Sequence, residues 1–156
     1  MADYWKESPP ILREFLNYHE SILSHSAQTV DEYFLDLRGF FRYLKMTRNP
    51  DLADVPFQEI SILDVDLDFV SKTQLSEIYG FLTFLTGGGA FGKAESTTRA
   101  RKCASIRSFY NYLCVHARVM TADPTQALNN PKMRKSLPRY LSLTESLQLL
   151  EAVSGP

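Results

Sequence analysis

The chain has few of the residues that build disulfides and metal sites. Its 156 residues include two cysteines, Cys103 and Cys114, and both fall in one predicted helix. Eleven residues of α-helix from Cys103 to Cys114 separate their backbones by roughly 16 Å, which is beyond the reach of a disulfide. The three histidines, His19, His25 and His116, are scattered without a cysteine or acidic partner at ligand spacing. We therefore expect free thiols and no metal site.

Long apolar runs are missing as well. No stretch approaches the roughly 20 apolar residues that cross a bilayer. The first residues, MADYWKESPP, lack the basic-then-apolar pattern of a secretory signal. A cytoplasmic protein without a membrane partner is therefore expected. The composition, 44% hydrophobic and 12% aromatic, nevertheless supports an ordered core and favours one globular domain over a disordered chain.

Acidic residues are scarce in one segment, although the net charge of the whole chain is only −1. Residues 1–95 hold 8 Lys and Arg against 15 Asp and Glu, whereas residues 96–140 hold 9 Lys and Arg against Asp123 alone. Such an asymmetry favours a polyanion as the partner of the basic segment. The alternative is a solvated basic face that balances the acidic half of the chain.

Apolar residues recur at spacings of three and four nearly throughout, which is typical of amphipathic helices. We therefore predict an all-α fold, a compact bundle of four to five helices without a sheet. Ser26 and Ser96 are the predicted N-caps of the second helix and of the longest one. The predicted helices are 11–24, 26–46, 72–86 and 96–117, with short pieces at 67–70 and 124–128. The predicted core contains Phe34, Leu37, Phe41, Ile78, Leu82, Ile106, Phe109 and Leu113.

The loop before the longest helix has glycines at nucleotide-binding spacing. Gly87-x-Gly89-x-x-Gly92 matches the dinucleotide fingerprint, and Gly87-x4-Gly92-Lys93 matches most of a P-loop. Both motifs need a strand before the loop and a helix directly after it, so that backbone N–H groups converge on phosphate. Here a helix precedes the loop, and Ala94 stands where the P-loop carries a hydroxyl for magnesium. We therefore expect a helix connection that binds no nucleotide and no other cofactor, and not an enzyme built on this loop.

The longest predicted helix has two different faces. At 100° per residue its apolar stripe surrounds Ile106, and Arg107 lies on the flank. The opposite side is expected to be solvated and presents Arg101, Ser105, Ser108 and Tyr112, with Thr98 beside them. Arginine bonds guanine or phosphate, and hydroxyl groups reach phosphates or base edges, so this face suits insertion into a DNA major groove. An ordinary solvated helix face is the alternative interpretation.

With these elements placed, the sequence resembles the N-terminal core-binding domain of Xer-type and phage-integrase tyrosine recombinases. In the second helix the resemblance is carried by Ser26-x-x-Thr29-x-x-x-Tyr33-x-x-Asp36-Leu37-x-x-Phe40-x-x-Tyr43-Leu44. In the long helix it is carried by Thr98-x-x-Arg101 and by Ser105-Ile106-Arg107-Ser108-Phe109-Tyr110-x-Tyr112-Leu113. The exit from the domain is similar in Asp123-Pro124-Thr125, Pro131-Lys132 and Leu137-Pro138-x-Tyr140-Leu141-Ser142.

The resemblance implies a SAM-like bundle that clamps double-stranded DNA opposite a catalytic domain of the same polypeptide, alongside other recombinase protomers. It implies that residues 1–130 form the DNA-binding domain, 131–142 a basic linker, and 143–156 a truncated first helix of the catalytic domain. Charge, helix faces and the resemblance together predict DNA contacts from Ser26, Gln28, Thr29, Thr98, Arg99, Arg101, Lys102, Ser105, Arg107, Ser108, Lys132, Arg134 and Lys135.

Catalysis is expected to lie outside this sequence. The family resembled uses a tyrosine nucleophile with arginines, a lysine and His or Trp, whereas none of the three histidines here is followed by Arg three places on. The chain is therefore expected to bind DNA without cutting it and not to be an enzyme by itself. A stand-alone helical domain that binds protein is the alternative, but it would not need the basic stretch from Arg99 to Arg139.

Overall fold

A computed structural model describes residues 4–86 and 96–128 of the chain. Its helices are α1 (Tyr4–Glu7), α2 (Pro10–Asn17), α3 (Ala27–Arg48), α4 (Leu67–Ser71), α5 (Leu75–Thr86) and α6 (Ser96–Asn111). Since α1 is a single turn, α2 to α6 form the predicted five-helix bundle, and these residues contain no strand. No helix among them is long and apolar enough to cross a membrane.

Several predictions concern parts of the chain outside the described residues. They are the glycine loop at 87–93, the linker at 131–142 and the helix at 143–156. The side chain of Ser96 is not described either, so its predicted capping role stays a prediction.

Side-chain oxygens explain where two of the helices begin. The Ser26 Oγ accepts the backbone N–H of Thr29 at 3.2 Å, which confirms the predicted N-cap of α3. α5 begins three residues later than predicted. There the Glu77 carboxylate accepts the backbone N–H of Gln74 at 2.9 Å, as in the second half of a capping box. Both helices therefore start where a side chain satisfies a backbone N–H that the helix leaves unpaired.

α2 and α6 end in the same way. Each is followed by one π-helical turn, at Tyr18–Ile22 and at Tyr112–His116. Soon after each turn comes a residue with positive φ, Ser24 at 57° and Arg118 at 56°. A left-handed residue at this position ends a helix because it turns the backbone back onto the last carbonyls. With the π-helical turns included, both predicted helix ends agree with the structure.

The segment after α6 does not form the predicted short helix. Residues 124–127 are a turn, in which the N–H of Leu128 donates to the carbonyl of Thr125 at 3.0 Å. The Asp123 carboxylate accepts the N–H of Thr125 at 2.8 Å and its hydroxyl at 2.6 Å. A side chain that bonds the backbone two residues ahead competes with the helix for that N–H. The turn nevertheless brings Leu128 into the core, where it is buried.

α3 is the central helix, with α2, α5 and α6 packed around it. All eight predicted core residues are buried. Aromatic rings connect the helices: Phe109 of α6 lies edge-to-face against Phe15 and against Phe41, with ring centroids 5.4 Å apart in both pairs. Each such pair contributes about 0.5–1.5 kcal/mol beyond the burial of its area. The middle of the bundle is therefore held by apolar contacts from three helices.

One arginine fixes the C-terminal end of α3. Arg48 bonds the carboxylate of Glu77 twice, at 2.8 and 3.0 Å, and donates to the carbonyl of Phe69 at 2.7 Å. It also donates to the Thr73 hydroxyl at 3.0 Å. Burial would raise the pKa of Glu77, but hydrogen bonds from Arg48 and Gln74, together with the arginine charge, lower it. The ion pair therefore stays charged at neutral pH and ties α3 to α4 and α5.

Two helical glycines differ in the space around them. A Cβ added to Gly39 of α3 meets no atom within 4 Å, whereas one added to Gly80 of α5 would lie 2.5 Å from the Tyr43 hydroxyl. Gly39→Ala is expected to raise the free energy of unfolding by about 0.5–1 kcal/mol, because alanine loses less backbone entropy in a helix. Gly80→Ala is the matched control. Its free energy of unfolding should rise less, because the Tyr43 ring must move to make room for the added methyl group. Urea unfolding measures both, and an equal gain would contradict the packing at Gly80.

Candidate nucleic-acid interface

The two chain segments predicted to contact DNA lie side by side. The N-terminal parts of α3 and α6, far apart in sequence, border one surface depression of about 160 Å³. It is lined by Thr29, Glu32, Tyr33 and Asp36 of α3 and by Arg101, Ala104 and Ser105 of α6. The fold therefore brings predicted contacts from both helices to one surface, which we call the α3–α6 depression.

A buried carboxylate joins the two helices at this depression. Asp36 is 1% exposed and accepts three hydrogen bonds from α6. Its Oδ1 accepts from Arg101 Nη2 at 2.8 Å and from Lys102 Nζ at 3.1 Å. Its Oδ2 accepts from the Ser105 hydroxyl at 2.7 Å. Two cations and a hydroxyl thus compensate the burial of one negative charge. These four residues are the Asp36 cluster.

The predicted solvated face of α6 is wrong at Ser105, which is 3% exposed. The physical reason is that α3 offers a polar partner inside the interface, so a serine can pack inward and bond Asp36. The same prediction is only partly correct for Arg101. One of its amino groups is bound to Asp36, while 49% of its side chain stays exposed. Ser105 therefore supports the carboxylate, and Arg101 presents about half of its side chain to solvent.

The other predicted contacts differ in their surroundings. Those at or near the helix starts are exposed or partly exposed: Ser26, Gln28, Thr29, Thr98, Arg99 and Lys102. Farther along α6, Arg107 donates to the carbonyl of Leu128, and the Ser108 hydroxyl lies 3.3 Å from His19 Nε2. Three predicted contacts lie outside the described residues: Lys132, Arg134 and Lys135. Arg107 and Ser108 are partly exposed as well, so every described contact residue except Ser105 keeps some access to solvent.

All three histidines come together next to the start of α3, which the sequence did not reveal. His19 Nδ1 lies 3.0 Å from His25 Nδ1, and the two rings stack with centroids 5.0 Å apart. His116 Nδ1 lies 3.2 Å from the hydroxyl of Tyr18. No sequence spacing indicates this cluster, because the turns after α2 and α6 assemble it. In the part of the chain that the structure describes, no group of three or more His, Cys, Asp or Glu could hold a metal ion.

His19 is the buried member of the histidine cluster, at 5% exposure. The ring of Phe15 lies edge-to-face against it, with centroids 4.5 Å apart. Burial, together with the neighbouring His25 and His116, lowers the pKa of His19 from 6.5 to about 4. His19 is therefore neutral at physiological pH.

Comparison with curated proteins finds relatives along nearly the whole chain. A tyrosine recombinase XerC of Caldanaerobacter subterraneus subsp. tengcongensis is 45% identical over 148 residues, which are 95% of this chain and 41% of the relative. A XerC of Myxococcus xanthus is 31% identical over 142 residues, 91% of this chain and 39% of the relative. A XerD of Listeria monocytogenes is 28% identical over 142 residues, 91% of this chain and 40% of the relative.

These matches confirm the family resemblance seen in the sequence. The chain spans about two fifths of the length of the relatives it matches. No family model and no solved structure matches it.

The buried histidine makes stability depend on pH. The pKa of His19 is about 4 in the folded chain, against the ordinary value of 6.5 that applies in the unfolded chain. Between pH 4 and pH 6.5 the unfolded state therefore binds one proton more than the folded state. Stability is therefore complete above pH 6.5 and is lost as pH falls towards 4. Between pH 7 and 5 we expect the free energy of unfolding to fall by about 1–2 kcal/mol through this group.

His19→Gln should abolish that part of the pH dependence, whereas His116→Gln, at an exposed position, should keep most of it, because His116 is the smallest of the three causes that lower the pKa of His19. Urea unfolding at pH 7, 6 and 5 measures the effect above the range in which most carboxylates titrate. A His19→Gln variant with the same pH dependence as the wild type would contradict the assignment.

Proposed function

We propose that this chain, a homologue of the Xer-type tyrosine recombinases, is the part of such an enzyme that binds double-stranded DNA. It would clamp one side of a recombination site while a catalytic domain of the same polypeptide holds the other. The observation that carries the proposal is the α3–α6 depression, at which predicted contacts from two distant segments meet. The scarcity of acidic residues in 96–140 supports the same partner.

The exposed groups around the depression suit phosphates and base edges. The hydroxyls of Ser26 and Thr29 lie 3.0 Å apart, so one donates to the other and the pair can offer one hydroxyl hydrogen to a phosphate oxygen. The half-exposed Arg101 has a planar fork of donors that fits one phosphate, or O6 and N7 of a guanine. Thr98 lies almost one turn before it on α6. Ser105 leaves the proposed contact set, because its hydroxyl bonds Asp36.

The proposal divides the rest of the chain by role. We infer that residues 1–130 form the DNA-binding domain and that the linker 131–142 uses Lys132, Arg134 and Lys135 to neutralise phosphates. Residues 143–156 would begin the catalytic domain, to which we assign strand cleavage and exchange. Other protomers bound to the same DNA in the cytoplasm would complete the assembly.

A helical domain that binds protein is the second candidate, and exposed apolar side chains at one end of the bundle favour it. Ile22 after α2 is 69% exposed, and Val115 after α6 is 54% exposed. The two helix ends are in contact through Tyr18 and His116. Exposed apolar groups of this kind can mark protein interfaces. Binding to DNA that depends on salt separates the two candidates, because an apolar protein interface does not release counterions.

Affinity for duplex DNA is expected to fall steeply with salt, because neutralised phosphates release condensed counterions. With about four to six phosphates neutralised, the slope of log affinity against log salt concentration should be roughly −4 to −5. One half of a clamp binds weakly, so the dissociation constant should be micromolar or higher at physiological salt. Fluorescence anisotropy titrations across salt concentrations measure both quantities.

Arg101→Ala should lower the binding free energy by about 1–3 kcal/mol and reduce discrimination between DNA sequences. Lys132→Ala should lower the affinity for all duplexes alike and flatten the salt slope by about one. Because Arg101 also bonds Asp36, thermal unfolding of each variant accompanies the titration. Arg118→Ala is the matched control, since it removes the same charge from an exposed residue after α6. Salt-independent binding, or wild-type affinity in Arg101→Ala, would remove α6 from the proposed interface.

The chain is expected to be catalytically silent towards DNA. None of its three histidines is followed by Arg three places on, a pattern of the recombinases it resembles, so none of its eight tyrosines is expected to act as the nucleophile. Incubation with nicked suicide substrates should therefore leave no protein–DNA adduct on a denaturing gel. A covalent adduct would show that part of the active site is carried by these 156 residues.

A further inference from the structure

We propose that Asp36 sets the DNA selectivity of the α3–α6 depression by positioning Arg101 and Lys102 and by cancelling part of their charge. This inference rests on the proposed DNA-binding function and deepens it. Asp36 is 1% exposed and cannot itself meet a ligand of any size. It acts through the two cations and is therefore a positioning residue.

The geometry of the Asp36 cluster fixes the guanidinium before any ligand arrives. The Ser105 hydroxyl holds one carboxylate oxygen at 2.7 Å, so the other oxygen has a defined place between α3 and α6. That oxygen binds Arg101 Nη2 at 2.8 Å. Hydrogen bonds between charged groups at this length are stronger than neutral ones. An oriented donor set loses less conformational entropy when it meets a base edge.

Charges at the depression nearly cancel. Arg101 and Lys102 contribute two positive charges, and the carboxylates of Asp36 and Glu32 contribute two negative ones. A phosphate that approaches this surface therefore meets little net attraction. Non-specific DNA affinity comes from uncompensated cations, whereas a guanine edge is read by the direction of the donors. Asp36 therefore lowers the affinity of this surface for any phosphate. It preserves the contact of Arg101 with a guanine edge, which depends on the direction of the donors.

A purely structural role for Asp36 makes a different prediction. If the carboxylate only held α3 against α6, its removal would lower stability and leave the ratio of affinities for two DNA sequences unchanged. The ratio, together with the salt slope, is therefore the readout that separates the two roles.

Asp36→Asn is the direct test, because it keeps the shape and an acceptor oxygen but removes the charge. The 156-residue chain is titrated by anisotropy with a duplex that the wild type enriches from a random pool and with a scrambled duplex. We expect the variant to bind the scrambled duplex roughly 3–10-fold more tightly, with a salt slope steeper by about one. The ratio of affinities for enriched and scrambled DNA should fall at least about fivefold, because Arg101 is no longer oriented.

Glu32→Gln is the matched control. Glu32 lines the same depression and carries the same charge, but among the described residues it forms no ion pair with Arg101 or Lys102. This variant should raise both affinities alike and keep their ratio. An unchanged ratio in Asp36→Asn, or an equal loss in both variants, would overturn the role of Asp36.

A second variant covers the case in which Asp36→Asn does not fold. Arg101→Lys keeps the charge but replaces the planar fork by a single ammonium group. In this variant the ratio of affinities for enriched and scrambled DNA should fall, while the salt slope stays that of the wild type. An unchanged ratio of affinities would again overturn the inference. If the wild type shows no salt-dependent binding at all, the proposed function fails. If it binds without sequence preference, only the inference about Asp36 fails.

Discussion

The buried carboxylate of Asp36 determines how the two helices of the proposed interface meet. An ionised carboxylate without partners costs several kcal/mol in a protein interior. α3 and α6 therefore pack favourably here only in the arrangement that brings the donors of Arg101, Lys102 and Ser105 to its two oxygens. Apolar side chains tolerate small shifts along an interface, whereas a satisfied polar network does not. Asp36 therefore contributes to the spacing between the two helix starts, together with apolar contacts such as that of Phe41 with Phe109 farther along the same helices.

Two further charged residues of α3, Arg42 and Arg48, also bond neighbouring segments. Arg42 is buried and donates to the carbonyl of Ile60 at 2.9 Å, which holds the segment before α4. Arg48 bonds Glu77 and so fixes α5. Apolar burial supplies most of the stabilisation of such a bundle. The charged residues of α3 instead specify which neighbour lies against which side, and this gives the 22-residue helix its central place.

The long helices were predictable from the sequence because their causes are local, whereas the helix predicted at 124–128 is a turn. Apolar spacing indicates the buried face of each helix, and a serine before such a run indicates a cap, as Ser26 does. The site was less predictable because its contacts join residues distant in sequence. Periodicity assigns a polar residue such as Ser105 to solvent, and only the facing helix reveals its partner. His19 and His116 are likewise brought together by the way two helices end.

Folding also changes what the charge pattern means. Residues 96–140 hold nine basic residues against one acidic residue. Within the described part of the segment, Arg101 and Lys102 share Asp36, and Arg107 bonds the carbonyl of Leu128. The acidic half of the chain thus supplies a counter-charge to the surface on which DNA would bind. A surface of this kind binds weakly by itself. In the proposed clamp, a tethered catalytic domain would raise the effective concentration of this surface at the same duplex, so the affinity would depend on both halves engaging together.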